Sequence, residues 1–248
     1  MGTIDNSARG FLEGASNIKR YLNIFSPSGS SGLISKMVPR KARVLDVGCG
    51  DGSLAEIIQE HCCADVFGIE PEITRVELAR KRGIKVHHGF LDENSRRDFG
   101  EFEVVLFADV LEHVPNPFQL IEYALCCLAR NGSIVISVPN AAHWSVRLMV
   151  LGGRFVYEEC GIRDATHLRW FTRESLILFL RRAGLRVVEM KSSSGFSLEI
   201  YRRWPWLWLP SPIRWHLIVK LSKVWPTMFG CQYIVRAVRA EDQKKPSC

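Results

Sequence analysis

The chain has 248 residues and a formal charge of +7, and its eight cysteines form no C-x-x-C pair. That length buries a full α/β core without staples, and several cysteines fall in apolar runs where a free thiol acts as a small hydrophobe. A reducing, cytoplasmic setting is the expectation, since Met1-Gly2-Thr3-Ile4-Asp5-Asn6 has neither the regions of a secretory signal nor the Ser or Thr that myristoylation wants at position 6.

In chain order, residues 1–42 read as an irregular or helical lead-in or lid, with the flexible joint Ser26-Pro27-Ser28-Gly29-Ser30-Ser31-Gly32 inside it, and the ordered domain is expected from near Arg43. Arg43 to Gly48, Ala64 to Glu70, Ile84 to His88, Phe102 to Ala108 and Ser133 to Val138 read as strands. One helix carries Leu54, Ile57 and Ile58; another carries Leu120, Ile121, Ala124, Leu125 and Leu128, opened by Asn116-Pro117 and closed by Asn131-Gly132. Thr172 caps a further helix that ends at Ala183-Gly184, followed by a strand from Leu185 to Met190 and a last strand near Gln232 to Ala240. Strand and helix alternate, which predicts a doubly wound, mostly parallel sheet with ligands at the carboxyl ends of its strands. The expected division is a ligand-binding domain over residues 43–196 and 231–241, interrupted by a basic, Trp-rich insertion at 197–230.

The strand ending in Asp46 runs into glycines at 48, 50 and 52, which puts bare backbone where a ligand must come close to a helix start. A dinucleotide loop has G-x-G-x-x-G spacing and serves a pyrophosphate; here the spacing is G-x-G-x-G, with an acid two residues before the first glycine. An acid suits a cationic sulfonium and ammonium and repels a pyrophosphate, so spacing and charge lean toward S-adenosyl-L-methionine. Glu70 ends the second strand 22 residues past Gly48, where a carboxylate can accept both ribose hydroxyls. The third strand ends at Gly89-Phe90-Leu91-Asp92, where Phe90 or Leu91 could line an adenine ring.

The segments Val44 to Gly52, Glu70 and Asp109-Val110-Leu111-Glu112-His113-Val114 resemble, in order and spacing, the motifs of class I S-adenosylmethionine-dependent methyltransferases, over roughly residues 40 to 193. Similarity at Ser137-Val138-Pro139-Asn140 and at Thr166-His167-Leu168-Arg169-Trp170-Phe171-Thr172 narrows it to a subgroup resembling bacterial glycan and secondary-metabolite methyltransferases and, more distantly, ubiquinone-pathway O-methyltransferases. The resemblance implies a Rossmann-like seven-stranded sheet with an antiparallel last strand and a helical insertion before it. It also implies ribose binding at Glu70, the methionine part at Asp46, Gly48, Gly50 and Gly52, and a cofactor edge at Asp109. The family often has Asp where this chain has Phe90, a departure from its pattern at the adenine end of the site.

A methyl leaves a sulfonium readily, so positioning supplies much of the rate, and a hydroxyl acceptor adds the need for a base. His167 is the first candidate for that base and His113 the second. Each histidine also has a structural reading, His113 as a turn cap before Pro115 and His167 as a loop anchor. The resemblance to ubiquinone-pathway enzymes raises Mg²⁺ at Asp109, Glu112 and His113, but the ligand set is not closed and no metal is assigned. Asn140 to Phe171 is long for a connection and polar, so His143, Arg147, Arg154, Tyr157 and Arg169 are candidate substrate contacts. Cys49 reads as a small side chain, and His61-Cys62-Cys63 as helix-end packing.

The charge is uneven. From Tyr201 onward nine Lys or Arg face only Glu241 and Asp242, and five of the seven Trp lie there, so the first 200 residues are neutral overall. Pro210, Pro212, Arg214 and Lys220 interrupt any membrane span. Ile213 to Trp225 can be drawn as a helix with His216, Lys220 and Lys223 on one face and Leu217, Ile218, Leu221, Val224 and Trp225 on the other. It reads either as a cap over the substrate cleft or as peripheral membrane contact through 204–225. The acceptor is accordingly expected to be a small molecule, a glycan or a lipid-linked hydroxyl; nucleic acid is the weaker reading of the same charge. A nicotinamide-dependent oxidoreductase and a non-catalytic membrane-surface module are the competing functions.

Overall fold

The computed structural model describes residues 25–94, 99–195, 198–203 and 206–240; the expectations for residues 1–24, Trp204, Glu241 and Asp242 lie outside these. Among the described residues the strands are β1 (Arg43–Val47), β2 (Asp65–Glu70), β3 (Lys85–His88), β4 (Phe102–Ala108), β5 (Leu128–Pro139), β6 (Leu185–Ser194) and β7 (Gly230–Arg239). They form one sheet in the order β3-β2-β1-β4-β5-β7-β6, the first five parallel and β7 antiparallel to both β5 and β6. This is the expected doubly wound architecture with its antiparallel last strand.

Strand periodicity divides the core in two. Leu45, Val47, Val105, Phe107, Ile134 and Ile136 face α4 (Pro117–Cys127) and α6 (Arg173–Arg182), while Val44, Val104, Leu106 and Val135 face α1 (Ser30–Met37), α2 (Ser53–Cys62) and α3 (Ile73–Lys81). Because β1, β4 and β5 are covered on both sides, they read in sequence as unbroken apolar runs. Asn116 caps α4 by accepting from the Gln119 N–H at 3.3 Å, and Thr172 with Ser175 closes a capping box on α6.

Three elements differ from expectation. Order begins before Arg43: α1 starts inside the stretch read as a joint, at Ser30, and Ile34 and Met37 are core residues. Gly32 sits there for packing, since a Cβ on it would lie 2.2 Å from the Ser26 carbonyl oxygen. Helix α3 has only Val76 and Ala79 buried, so its pattern is too polar to stand out. Helix α4 closes at Cys127, and Asn131-Gly132 lies inside β5, which starts at Leu128 paired with Phe102 and shifts register before Ser133.

Helix α5 (Trp144–Leu151) lies within the segment from Asn140 to Phe171. Past β6, two short 3₁₀ turns, Glu199–Arg202 and Trp206–Trp208, lead to α7 (Ser211–Val224) and α8 (Pro226–Phe229), the expected helical insertion before the last strand. No helix among the described residues is long and apolar enough to cross a membrane. Cys49, Cys62, Cys63, Cys127, Cys160 and Cys231 are free thiols; Cys126 departs from the expectation and is disulfide-bonded.

Candidate active site

The strand order reverses between β1 and β4, and at the carboxyl ends of those strands lies a cavity of about 520 Å³. This is the crevice where open α/β sheets bind ligands, and the volume is in the range of a small-molecule site. Asp46, Gly48, Gly50, Glu70, Phe90, Leu91, Asp109, His113 and His167 all line it. Gly52 stands just behind: at φ 79° it caps α2, and a Cβ there would meet Ala79 Cβ at 2.9 Å, so it lets the loop pack on α3. At Gly50, φ 57°, a Cβ would meet nothing within 4 Å, so the bare backbone borders open space.

The Glu70 carboxylate bridges two backbone segments, accepting from the Gly50 N–H at 2.9 Å and the Glu72 N–H at 3.0 Å. Each oxygen keeps acceptor capacity for a further donor. Asp46 is 1% exposed, and among the described residues neither of its carboxyl oxygens has a hydrogen-bond partner. Burial, then the charge of Glu70, pushes its pKa up to about 7. A buried acid with no partner calls for a donor or cation from a ligand. Phe90 is 70% exposed at the rim and Leu91 is buried beneath it, while burial holds the Cys49 thiol neutral, as a small side chain rather than a nucleophile.

Asp109 follows β4 in the left-handed region, φ 56°, a strained backbone for a non-glycine residue. Its carboxylate accepts from Ser137 Oγ at 2.9 Å and from Gln232 Nε2 at 2.8 Å to each oxygen, against a burial that raises its pKa. Sequence reasoning missed Gln232, which β7 brings in from 123 positions away.

Beyond Asp109, candidate ligand atoms of Glu112, His113 and His167 lie within 4.8 Å of one another, with the two imidazole centroids 4.8 Å apart. Glu112 is buried, and burial followed by Asp109 and Asp164 holds its pKa well above the carboxylate range. Thr166 Oγ1 donates to Asp164 Oδ1 at 2.6 Å, so toward His113 Nδ1, 3.1 Å away, it can only accept. The Thr166 carbonyl, 3.3 Å from the same nitrogen, also only accepts. The network therefore assigns the proton to Nδ1 and leaves Nε2 as the basic nitrogen of neutral His113.

The other sequence candidates do not reach the cavity. His143 caps α5 and is fully buried between Ser145 Oγ at 2.8 Å and Tyr201 Oη at 3.1 Å, and burial lowers its pKa to about 4. Arg147 donates to the Ala142 carbonyl, and Arg169 clamps the carbonyls of Val114 and Pro115. Arg154 and Tyr157 are exposed, Tyr157 beside Phe155 and Trp170. From this segment the cavity takes Cys160, Gly161, Ile162, Asp164 and His167. No residue of α7 lines the cavity, so α7 is not the cap that one reading expected. Among the described residues His61, Cys62 and Cys63 form no metal-binding group: His61 stacks on Phe25, Cys62 Sγ donates to the Ser35 carbonyl and Cys63 accepts from Arg40.

A family model described as a methyltransferase domain matches residues 17–190. This chain belongs to the class I S-adenosylmethionine-dependent methyltransferases. Two similar proteins are ubiquinone biosynthesis O-methyltransferases. That of Xanthomonas axonopodis pv. citri (strain 306) is 27% identical over 191 residues, 74% of this chain and 78% of the relative. That of Aromatoleum aromaticum is 28% identical over 158 residues, 61% of this chain and 67% of the relative. Among solved structures, magnesium protoporphyrin IX methyltransferase from Synechocystis PCC 6803, with bound SAH, shares the fold at TM-score 0.54 and 15% identity over 97% of this chain and 90% of its own. The oxidoreductase and non-catalytic alternatives give way to this assignment, and S-adenosylmethionine is the methyltransferase's cofactor.

Proposed function

We propose that this methyltransferase transfers its methyl group to a hydroxyl of a small-molecule, glycan or lipid-linked acceptor, with His113 and His167 serving proton removal. The observation that carries the reading is the Asp164-Thr166-His113 network, which engages Nδ1 of a cavity-lining imidazole and so leaves Nε2 as the nitrogen to face an acceptor. The O-methyltransferase names of the relatives support oxygen as the acceptor atom.

S-adenosylmethionine, when bound, supplies an electrophilic methyl group on a good leaving group. The residues present fit it: Glu70 offers two oxygens to the ribose hydroxyls, the Gly48 to Gly52 loop lets backbone approach, and the unpartnered Asp46 carboxyl offers its charge to the ammonium of the methionine part. Phe90 and Leu91 flank the adenine in this reading, and Asp109, fixed by Ser137 and Gln232, holds the edge where cofactor and acceptor meet. His113 Nε2 accepts the hydroxyl proton, while Thr166 and Asp164 stabilise the imidazolium that forms. His167, edge-on to His113 and to Trp170, confines the acceptor and is the second base candidate.

Single-turnover methyl transfer tests this. His113→Ala is expected to slow it about 10²- to 10⁴-fold at unchanged S-adenosylhomocysteine affinity; near-normal turnover in both His113→Ala and His167→Ala would overturn the reading. The closeness of Glu112, His113 and His167 favours one second reading, a divalent cation that orients the acceptor. Exhaustive chelation separates the two: unchanged turnover is expected for proton removal, whereas loss restored by Mg²⁺ assigns the three residues to a metal.

A further inference from the structure

From Ile200 to Gly230 the chain carries Arg202, Arg203, Arg214, Lys220 and Lys223 and no acidic residue. A helix of this composition packed against a globular domain normally turns its apolar side inward. Helix α7 does so only in part. It buries Ile218 and Ser222 against the sheet, where the Ser222 carbonyl accepts from Ser192 Oγ at 2.8 Å. Its opposite side presents Ile213, Leu217 and Val224 to solvent, with Lys220 and Lys223 exposed beside them. The large side chains at its two ends are open as well: Trp208 is 80% exposed before it and Trp225 55% exposed after it.

We propose that this face docks on an anionic phospholipid surface. The pattern of exposed Trp and branched aliphatic side chains flanked by lysines is what the headgroup boundary selects, since the apolar groups enter the acyl margin while the amines meet lipid phosphates. A second copy of the same chain would bring Lys220 and Lys223 against the same two lysines, and a nucleic acid would leave the apolar row in water; the exposed lysines and the apolar row together fit a lipid surface. The orientation is set by contacts at both ends of the insertion. Asn140, just past β5, donates through Nδ2 to the Thr227 and Gly230 carbonyls at 3.3 and 2.8 Å, and Tyr201 and Trp206 pack on Trp144. These contacts tie the insertion to the chain just past the carboxyl end of β5, on the side of the sheet where the cavity lies. The inference is independent of the acceptor and of the base.

The full chain should be sedimented with vesicles of phosphatidylcholine alone and with a third phosphatidylglycerol, at low and physiological salt. Binding is expected only to the anionic vesicles and to weaken with salt. Lys220→Gln with Lys223→Gln should lower the partition roughly 20- to 30-fold, and Trp208→Ser about tenfold. Unchanged S-adenosylhomocysteine affinity shows that the variants are folded. Absence of sedimentation with anionic vesicles at low salt overturns the proposal, as does binding that all the variants retain. Self-association, or retention on RNA or DNA without vesicle binding, overturns it in favour of those partners.

Discussion

Glu70 accepts a hydrogen bond from the backbone N–H of Gly50 at 2.9 Å, tying the end of β2 to the glycine loop that follows β1. One carboxylate thus shapes the loop and keeps lone pairs for a ligand. Charge-assisted bonds of this kind contribute about 1.5–3 kcal/mol each. Glu70→Ala is expected to weaken S-adenosylhomocysteine binding about 10- to 100-fold in calorimetry, and affinity within a factor of two would exclude the ribose assignment.

Asp46 makes cofactor affinity depend on pH. Its folded pKa, about 7, stands above the unfolded value near 3.8, so the empty protein loses stability as pH rises through about 4 to 7. Binding of an ammonium needs the ionised form, so affinity should climb as pH rises toward 7 and level off above it. Asp46→Asn should bind weakly with a flat pH profile, and its ligand-free form should melt higher than wild type at pH 8. A wild-type affinity independent of pH between 5.5 and 8 contradicts this account.

His143 acts in the opposite direction. Burial lowers its folded pKa to about 4, below the unfolded value near 6.5, so the unfolded chain binds the extra proton between those limits. The contribution is complete above about pH 6.5 and is lost as pH falls toward 4, up to about 3 kcal/mol. His143→Asn retains an N-cap acceptor for α5, and its melting temperature should fall less than that of wild type between pH 6.5 and 4.5. Parallel pH curves for the two proteins would contradict the assignment.

Helix α1 belongs to the core, and Met37 is the side chain that tests it. Met37→Ala should cost about 2–4 kcal/mol in urea unfolding, since Met37 is 3% exposed within the cluster of Val44, Leu54 and Ile58. A loss below about 0.5 kcal/mol would mean that residues 30–37 do not hold the domain together.

These elements show what the sequence disclosed and what it hid. β1, β4 and β5 were legible because both faces are covered and the apolar runs are unbroken, and Asp46, the glycines and Glu70 because strand ends must meet at the switch point. Helix α1 was hidden because Ser30-Ser31-Gly32 looks like a hinge, whereas Gly32 is there to pass close to the Ser26 carbonyl. The polar residues of 140–171 misled for a related reason. His143, Arg147 and Arg169 satisfy helix-end or turn backbone groups, and polarity alone does not separate that work from ligand contact. Ile162 and Gly161, which do line the cavity, carry no chemical signal. Gln232 could not be matched to Asp109 without knowing that β7 enters the sheet beside β5.

The placement of β7 has a consequence for synthesis. Among the described residues β6 pairs with no strand but β7, which leaves the ribosome about forty residues later, so the emerging chain holds an unpaired strand while the insertion is made. The same late strand delivers the Gln232 amide that holds Asp109. Closure of the sheet and completion of the cleft are thus one event, and a chain truncated before β7 exposes a sticky edge and lacks a finished site.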